Sequence, residues 1–304
     1  MLNDQISRYV ALHRNLGRKF EEQDRILQLF ANYAQAFGDQ HVNVSRLYDW
    51  CGTATTQNAA RTRFDVVRRF SLYAHSEDQR HQVPPSGVFG RGRRSRPTPH
   101  IIEPEQVRAI MQAALDFPYK DQISPYTYHY LFGLLATTGL RVSEALALQR
   151  DDLIDDGLII RKGKFGKQRL LPLQPSTRRA LETYLAMRAQ LGADGDNLFV
   201  RAQGRVPGRA RVGAVFVRLA RMLGFRGPTG TSGIRLHDLR HTFAVRSLES
   251  CPCNREAISH HMVSLSNYLG HADITNTYWY LEATPVLLRE IATSGERLFL
   301  GGAV

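Results

Sequence analysis

The stretch HQVPPSGVFGRGRRSRPTPH, residues 81–100, carries four prolines, three glycines and four arginines. Proline removes a backbone donor and fixes φ, and glycine loosens the chain, so no helix or central strand is expected to run through it. The break predicts two folded bodies, residues 1–80 and a larger one from 101 onward, joined by a basic linker at 81–100. A chain of 304 residues has enough length to give each body its own core.

Both sides of the break are basic. Residues 1–100 hold 15 basic and 9 acidic side chains, and residues 101–304 hold 25 and 19, so each side contributes +6 to the total of +12. The excess peaks in 201–250, with 10 basic residues against two acidic ones. Arginine greatly outnumbers lysine, which favours forked, bidentate phosphate contacts over diffuse attraction. A polyanion touching both bodies fits this pattern, and nucleic acid is the leading partner. No apolar run reaches the roughly 18 residues of a membrane span. The opening MLNDQISRYVALHRNLGRKF has no apolar h-region. Three cysteines, Cys51, Cys251 and Cys253, fit a reducing compartment. A cytoplasmic, nucleoid-associated protein with no membrane partner is the expectation.

Periodicity makes residues 1–80 helical. QISRYVALHRNLG and FEEQDRILQLFANYAQAFG space apolar residues three and four apart and end at glycines. VNVSRLYDWCG and NAARTRFDVVRRFSLYAHS continue the pattern, predicting a four-helix module. In the last helix Val66, Val67, Phe70 and Tyr73 share a face, while Arg61, Arg63, Arg68 and Arg69 crowd the surface as candidate DNA contacts. The linker arginines Arg91, Arg93, Arg94 and Arg96 are placed to follow a phosphate backbone.

Beyond residue 100, helices are expected over EPEQVRAIMQAAL, YTYHYLFGLLATTG, RVSEALALQRDDL, TRRALETYLAMRAQLG and VGAVFVRLARMLG. GLIIRKGKFGKQRLLPL switches to strand character, with β-rich runs at Leu158–Arg161 and Arg169–Leu173 around a Gly/Lys tip. The fold class expected is mainly α with a small antiparallel β-sheet.

Four separated stretches carry the unusual polar residues. In TTGLRVSEAL, Arg141 follows a glycine turn at the opening of a helix, where free N–H groups favour an anion, and Glu144 lies one turn on. The hairpin tip KGKFGKQR offers Lys164 and Lys167. In RLHDLRHTFA, His237 and Arg240 are three apart on one helix face, an imidazole that moves protons beside a fixed positive charge. In YLGHADITNTYWYLEA, His271 follows Gly270, and Tyr278 and Tyr280 come after it.

These stretches, in this order, resemble the tyrosine recombinase (phage integrase-like) family, and the resemblance spans most of 102–284. It implies a two-domain DNA clamp. An N-terminal four-helix (SAM-like) core-DNA-binding domain (1–80) would be joined by the linker (81–100) to a mixed α/β tyrosine recombinase catalytic domain (101–284). Residues 285–304 resemble a tail helix that docks in trans onto a neighbouring protomer, against the simpler option of a helix folded on its own domain. TYWYLEATP is most similar to members carried on mobile elements.

Matched residue by residue, Arg141 is the first active-site arginine and Glu144 its acidic neighbour. Lys164 is the hairpin lysine and Lys167 a second one that contacts DNA. His237 and Arg240 form the His-x-x-Arg pair, His271 the second histidine position, and Tyr280, nine residues further on, the nucleophile. On a helix Tyr278 and Tyr280 point roughly 200° apart, so Tyr278 is expected to pack with Trp279 instead.

The activity implied is cutting and rejoining DNA strands through a 3′-phosphotyrosyl intermediate. Covalent catalysis conserves the phosphodiester energy, so no cofactor is expected. The partners implied are double-stranded DNA, further copies as dimers or tetramers on synapsed sites, and a partner recombinase. A catalytically silent accessory recombinase, a DNA-binding regulator and type IB topoisomerase-like relaxation are the alternatives; covalent trapping of DNA separates the silent readings from the active ones. The run CPCNREAISHHM places Cys251 and Cys253 near His260 and His261, but Cys-x-Cys lacks common zinc spacing, and no metal site is expected.

Overall fold

The computed structural model describes residues 2–90, 99–161, 168–251, 255–270 and 277. The chain divides into two compact units, Met1–Arg96 and Pro97–Val304. The described residues are mostly helical, with one small antiparallel sheet, as the periodicity predicts.

The first unit holds four helices: α1 (Leu2–Asn15), α2 (Glu21–Gln35), α3 (Val44–Gly52) and α4 (Gln57–Glu77). Side-chain oxygens start two of them. Asn43 accepts from the Arg46 N–H and Thr56 from the Ala59 N–H, satisfying donors that a helix N-terminus leaves open. Ile6, Leu27, Phe30, Leu47, Phe64, Val67 and Phe70 are buried together.

The first half of the segment expected to be a linker is packed against this core. His81 is fully buried, and Phe89 sets its ring 5.2 Å from that of Phe64. Main-chain oxygens there accept from α4, Phe89 from Arg61 and Pro84 from Arg68. Pro84 and Pro85 lie outside helix and strand, and the burial comes from the histidine before them and the phenylalanine after them. Among the described residues, His41, Asp78 and His81 bring histidine and carboxylate atoms within 4.8 Å of one another. The Nδ1 of His81 accepts from the Val42 N–H at 3.0 Å, which leaves its ring proton on Nε2. The group ties the end of α4 to the loop before α3.

The second unit begins with α5 (Pro104–Asp116) and the buried α6 (Ser124–Thr138). α7 (Val142–Ala147) is much shorter than the helix expected over RVSEALALQRDDL. Leu148 turns extended, with ψ 136, and its carbonyl accepts from the Leu198 N–H at 2.7 Å. A 3-10 turn (Arg150–Asp152) then leads into a strand absent from the sequence reading, β1 (Leu153–Ile154). β1 pairs antiparallel with β2 (Gly157–Ile160), which pairs antiparallel with β3 (Arg169–Leu171), Leu158 opposite Leu171. The hairpin is therefore present, and its tip lies outside the described residues. α8 (Pro175–Gln190), α9 (Arg209–Met222), α10 (Asp238–Glu249) and α11 (Arg255–Leu269) are the further α-helices among the described residues of this unit. α6 runs through its centre, with Tyr128, Leu131, Phe132 and Leu135 buried. None of the described helices is long and apolar enough to cross a membrane.

Candidate active site

The site is built around the junction between α6 and α7. Gly139 ends α6 at φ +61, a left-handed conformation open to glycine. A Cβ there would lie 2.6 Å from the Phe243 ring of α10 and 3.0 Å from Leu269 of α11, so the residue also permits close packing of three helices. Arg141 caps α7. Its own N–H donates to Glu144 Oε2 at 3.1 Å and its guanidinium to Glu144 Oε1 at 2.8 Å. Glu144 is buried, and Arg169 from β3 supplies a second fork to the same carboxylate, at 3.3 and 3.0 Å. Burial pushes the Glu144 carboxyl up. The hydrogen bonds and charges of Arg169 and Arg141 more than offset that and hold it below the ordinary carboxylate value.

The second half comes from α10. Asp238 is fully buried and accepts from the Arg235 N–H at 2.7 Å, closing the helix start and fixing His237 at its N-cap. Arg240 is buried one turn on, where its guanidinium donates to Gly139 O at 2.6 Å and to Leu269 O at 2.8 Å. Burial, then the charge of Arg240, lowers His237 to about 4, with Arg235 and Arg141 adding to the effect and Asp238 opposing it. The imidazole is neutral at pH 7, which suits a proton acceptor. His241, its ring centroid 4.5 Å from that of His237, is lowered to about 4 by burial and by that neighbour.

The two halves meet at the C-terminus of α11. Three guanidiniums from three different elements take its last carbonyls in succession. Arg169 Nε donates to Tyr268 O at 2.9 Å, Arg240 to Leu269 O at 2.8 Å and Arg141 to Gly270 O at 3.0 Å. Helix C-termini carry unpaired carbonyls and partial negative charge, so cations gather there. Gly270, at φ +65, ends the helix, and a Cβ on it would lie 2.6 Å from Arg169.

Of the residues singled out in the sequence, Arg141, Glu144, His237 and Arg240 thus come together. Lys164, Lys167, His271, Tyr278, Tyr280, Cys253 and the linker arginines Arg91, Arg93, Arg94 and Arg96 lie outside the described residues. Residues 285–304 do so as well. Arg61, Arg63 and Arg68 each spend donors inside the first unit. Arg63 bonds Trp50 O and stacks 4.7 Å over the Trp50 ring, while Arg61 and Arg68 hold the packed half of the former linker. Arg69 lies close enough to Tyr9 to act on its phenol electrostatically. Arg169 and Asp238 are the site residues that sequence reasoning missed. Arg169 is the arginine of the run GKFGKQRLLPL, which matches the family's Gly-Lys-x-x-Lys-x-Arg-x-x-Pro-Leu pattern, but that match gave it no role; for Asp238 the signal is the Arg-x-x-Asp spacing across the helix start.

The chain is similar to known proteins over most of its length. Residues 100–285 match the phage integrase family. A protein of Sinorhizobium fredii named as an integrase/recombinase, y4rB, is 34% identical over 96% of each chain. The tyrosine recombinase XerD of Brucella suis is 30% identical over 80% of this chain and 76% of its own. Among solved structures, a lambda integrase dimer bound to a COC′ core site overlays with a TM-score of 0.63 at 17% identity, over 92% of this chain and 76% of that one. The Tn1549 transposon integrase in complex with transposon right end DNA does so with a TM-score of 0.60 at 16% identity, over 98% and 99%. The chain belongs to the phage integrase family and is a tyrosine-type site-specific recombinase.

Proposed function

We propose that this recombinase cuts and rejoins the DNA of a mobile element, with Tyr280 as nucleophile and Arg141 and Arg240 as the ligands of the scissile phosphate. The observation that carries the reading is the meeting of those arginines on consecutive carbonyls, Leu269 and Gly270, directly before His271 and ten residues before Tyr280. Two guanidiniums beside a neutral imidazole suit a phosphodiester undergoing in-line attack.

In this scheme the Tyr280 oxygen forms a bond to phosphorus as the bond to the 5′-oxygen breaks, leaving a 3′-phosphotyrosyl link and a free 5′-hydroxyl. The phenol proton passes to His237, whose lowered pKa keeps its lone pair available. The departing 5′-oxygen takes a proton from Lys164. Arg141 and Arg240 meet the charge on the non-bridging oxygens, and His271 adds a hydrogen bond. Attack by a partner strand's 5′-hydroxyl reverses the step and frees Tyr280.

The first unit would add a second set of contacts to the duplex. Basic charge on both units supports that role. The DNA-bound dimer and tetramer forms of lambda integrase support oligomers of this chain on its own sites, and the transposon integrase supports a mobile-element setting. A nicked suicide duplex spanning the element's end tests the reading. The unaltered protein and Tyr278→Phe should both give a covalent protein–DNA adduct stable in denaturant, and Tyr280→Phe should bind and give none. An adduct from Tyr280→Phe would transfer the nucleophile's role.

A further inference from the structure

Arg169 joins three separate segments of the site through one guanidinium. Its guanidinium covers both oxygens of Glu144 and the carbonyl of Tyr268, and its side chain is 15% exposed against 3% for Glu144. Three segments meet on it: the hairpin through β3, the start of α7 through Glu144, and the end of α11 through Tyr268 and the close approach of Gly270. Glu144 passes the constraint to Arg141 through two bonds, and Arg141 in turn holds Gly270 O. The loop closes back on α11. A lysine would not replace this, because its three N–H donors radiate from one nitrogen, whereas the planar guanidinium spreads its donors over three nitrogens that span the carboxylate and the carbonyl.

We propose that Arg169 is a positioning residue for strand cleavage, one that sets the Arg141 guanidinium and the exit of the chain from α11 relative to each other and to the hairpin. The proposal rests on the reading of Arg141 as a phosphate ligand. Arg169 itself points at Glu144 and Tyr268, so it acts through Arg141 and through the end of α11. Near-attack geometry is lost over about 1 Å, and outer partners of this kind typically carry a 10- to 100-fold effect.

The test is single-turnover adduct formation on the suicide duplex at saturating protein, beside the Kd for the same DNA and the melting temperature. Arg169→Ala should slow adduct formation about 10- to 100-fold while Kd stays within about 2-fold. Arg169→Lys, which keeps the charge in the pocket, should melt normally and still run about 10-fold slow. In a Glu144→Gln background, Arg169→Ala should add less than about 2-fold, because both act along one path. A normal rate in Arg169→Lys would overturn the proposal, as would losses that multiply in the Glu144→Gln background. Collapse of both Arg169 variants would also overturn it, leaving a purely structural side chain. Lack of any adduct from the unaltered protein would instead remove the transesterification reading on which the proposal stands.

Discussion

Arg240 donates to the carbonyl of Gly139 at 2.6 Å, fastening the helix that carries Arg240 to the turn that presents Arg141. Gly139 is two residues before Arg141. The bond therefore makes the spacing of the two cations a property of the fold.

Replacing Gly139 by alanine should break that spacing. The residue sits at φ +61, and its new Cβ would fall 2.6 Å from the Phe243 ring, well inside contact distance. The left-handed strain and the overpacking together are expected to cost about 1–3 kcal/mol. Both a lower melting temperature and slower adduct formation should appear, read by thermal unfolding and single-turnover cleavage. A variant as stable and as fast as the parent would show that neither helix needs this close approach.

Arg240→Ala should separate stability from chemistry. It strips a donor from two buried carbonyls, Gly139 and Leu269, which costs about 1–3 kcal/mol. It also removes the charge proposed to meet the transition state, so cleavage should fall about 100- to 1,000-fold. Arg240→Lys keeps a charge but cannot reach both carbonyls together, so it should recover stability only in part and remain slow. Near-normal cleavage by either variant would take Arg240 out of the site.

The two lowered histidines make stability depend on pH. Their folded values near 4 lie below the unfolded value of about 6.5, so between those limits the unfolded chain binds more protons. Stability is full above pH 6.5, falls as the pH drops, and the loss is complete below about 4. After allowing for part-exposure, each imidazole should contribute at most about 2 kcal/mol to the drop. Melting curves from pH 7.5 to 4 check this. His241→Gln removes one of the two groups and should make the decline shallower; an unchanged slope would mean that His241 is not held neutral in the fold.

Sequence spacing revealed Arg141 with Glu144 and His237 with Arg240 because each pair is local: three residues along one helix is a contact that periodicity dictates. It could not reveal what Arg169 touches. That side chain acts on Glu144 twenty-five residues back and on Tyr268 ninety-nine residues ahead, and only the folded unit brings those together. The same limit explains α7. Helix propensity carried VSEALALQ forward, but pairing of Leu148 with Leu198 pulled the chain out at residue 148. At 81–90 proline content signalled a break in helix, while the burial of His81 and the contact of Phe89 with Phe64 were tertiary facts that composition does not encode.

The proposed role of Lys164 can be tested through the leaving group. β2 and β3 bracket the tip that bears it, and the base of β3 is held to the site by the bonds of Arg169, so the hairpin starts from a fixed platform. An alkoxide leaves poorly and needs a proton in the transition state. A thiol has a pKa of about 8.5, so a 5′-thiolate departs without one. Lys164→Ala should therefore be slow on the normal duplex and recover on a 5′-bridging phosphorothiolate, with binding unchanged on both. Tyr280→Phe, which lacks the attacking oxygen, should fail on both substrates. Equal slowness of Lys164→Ala on the two substrates would assign the lysine to phosphate binding and leave the proton donor to another group.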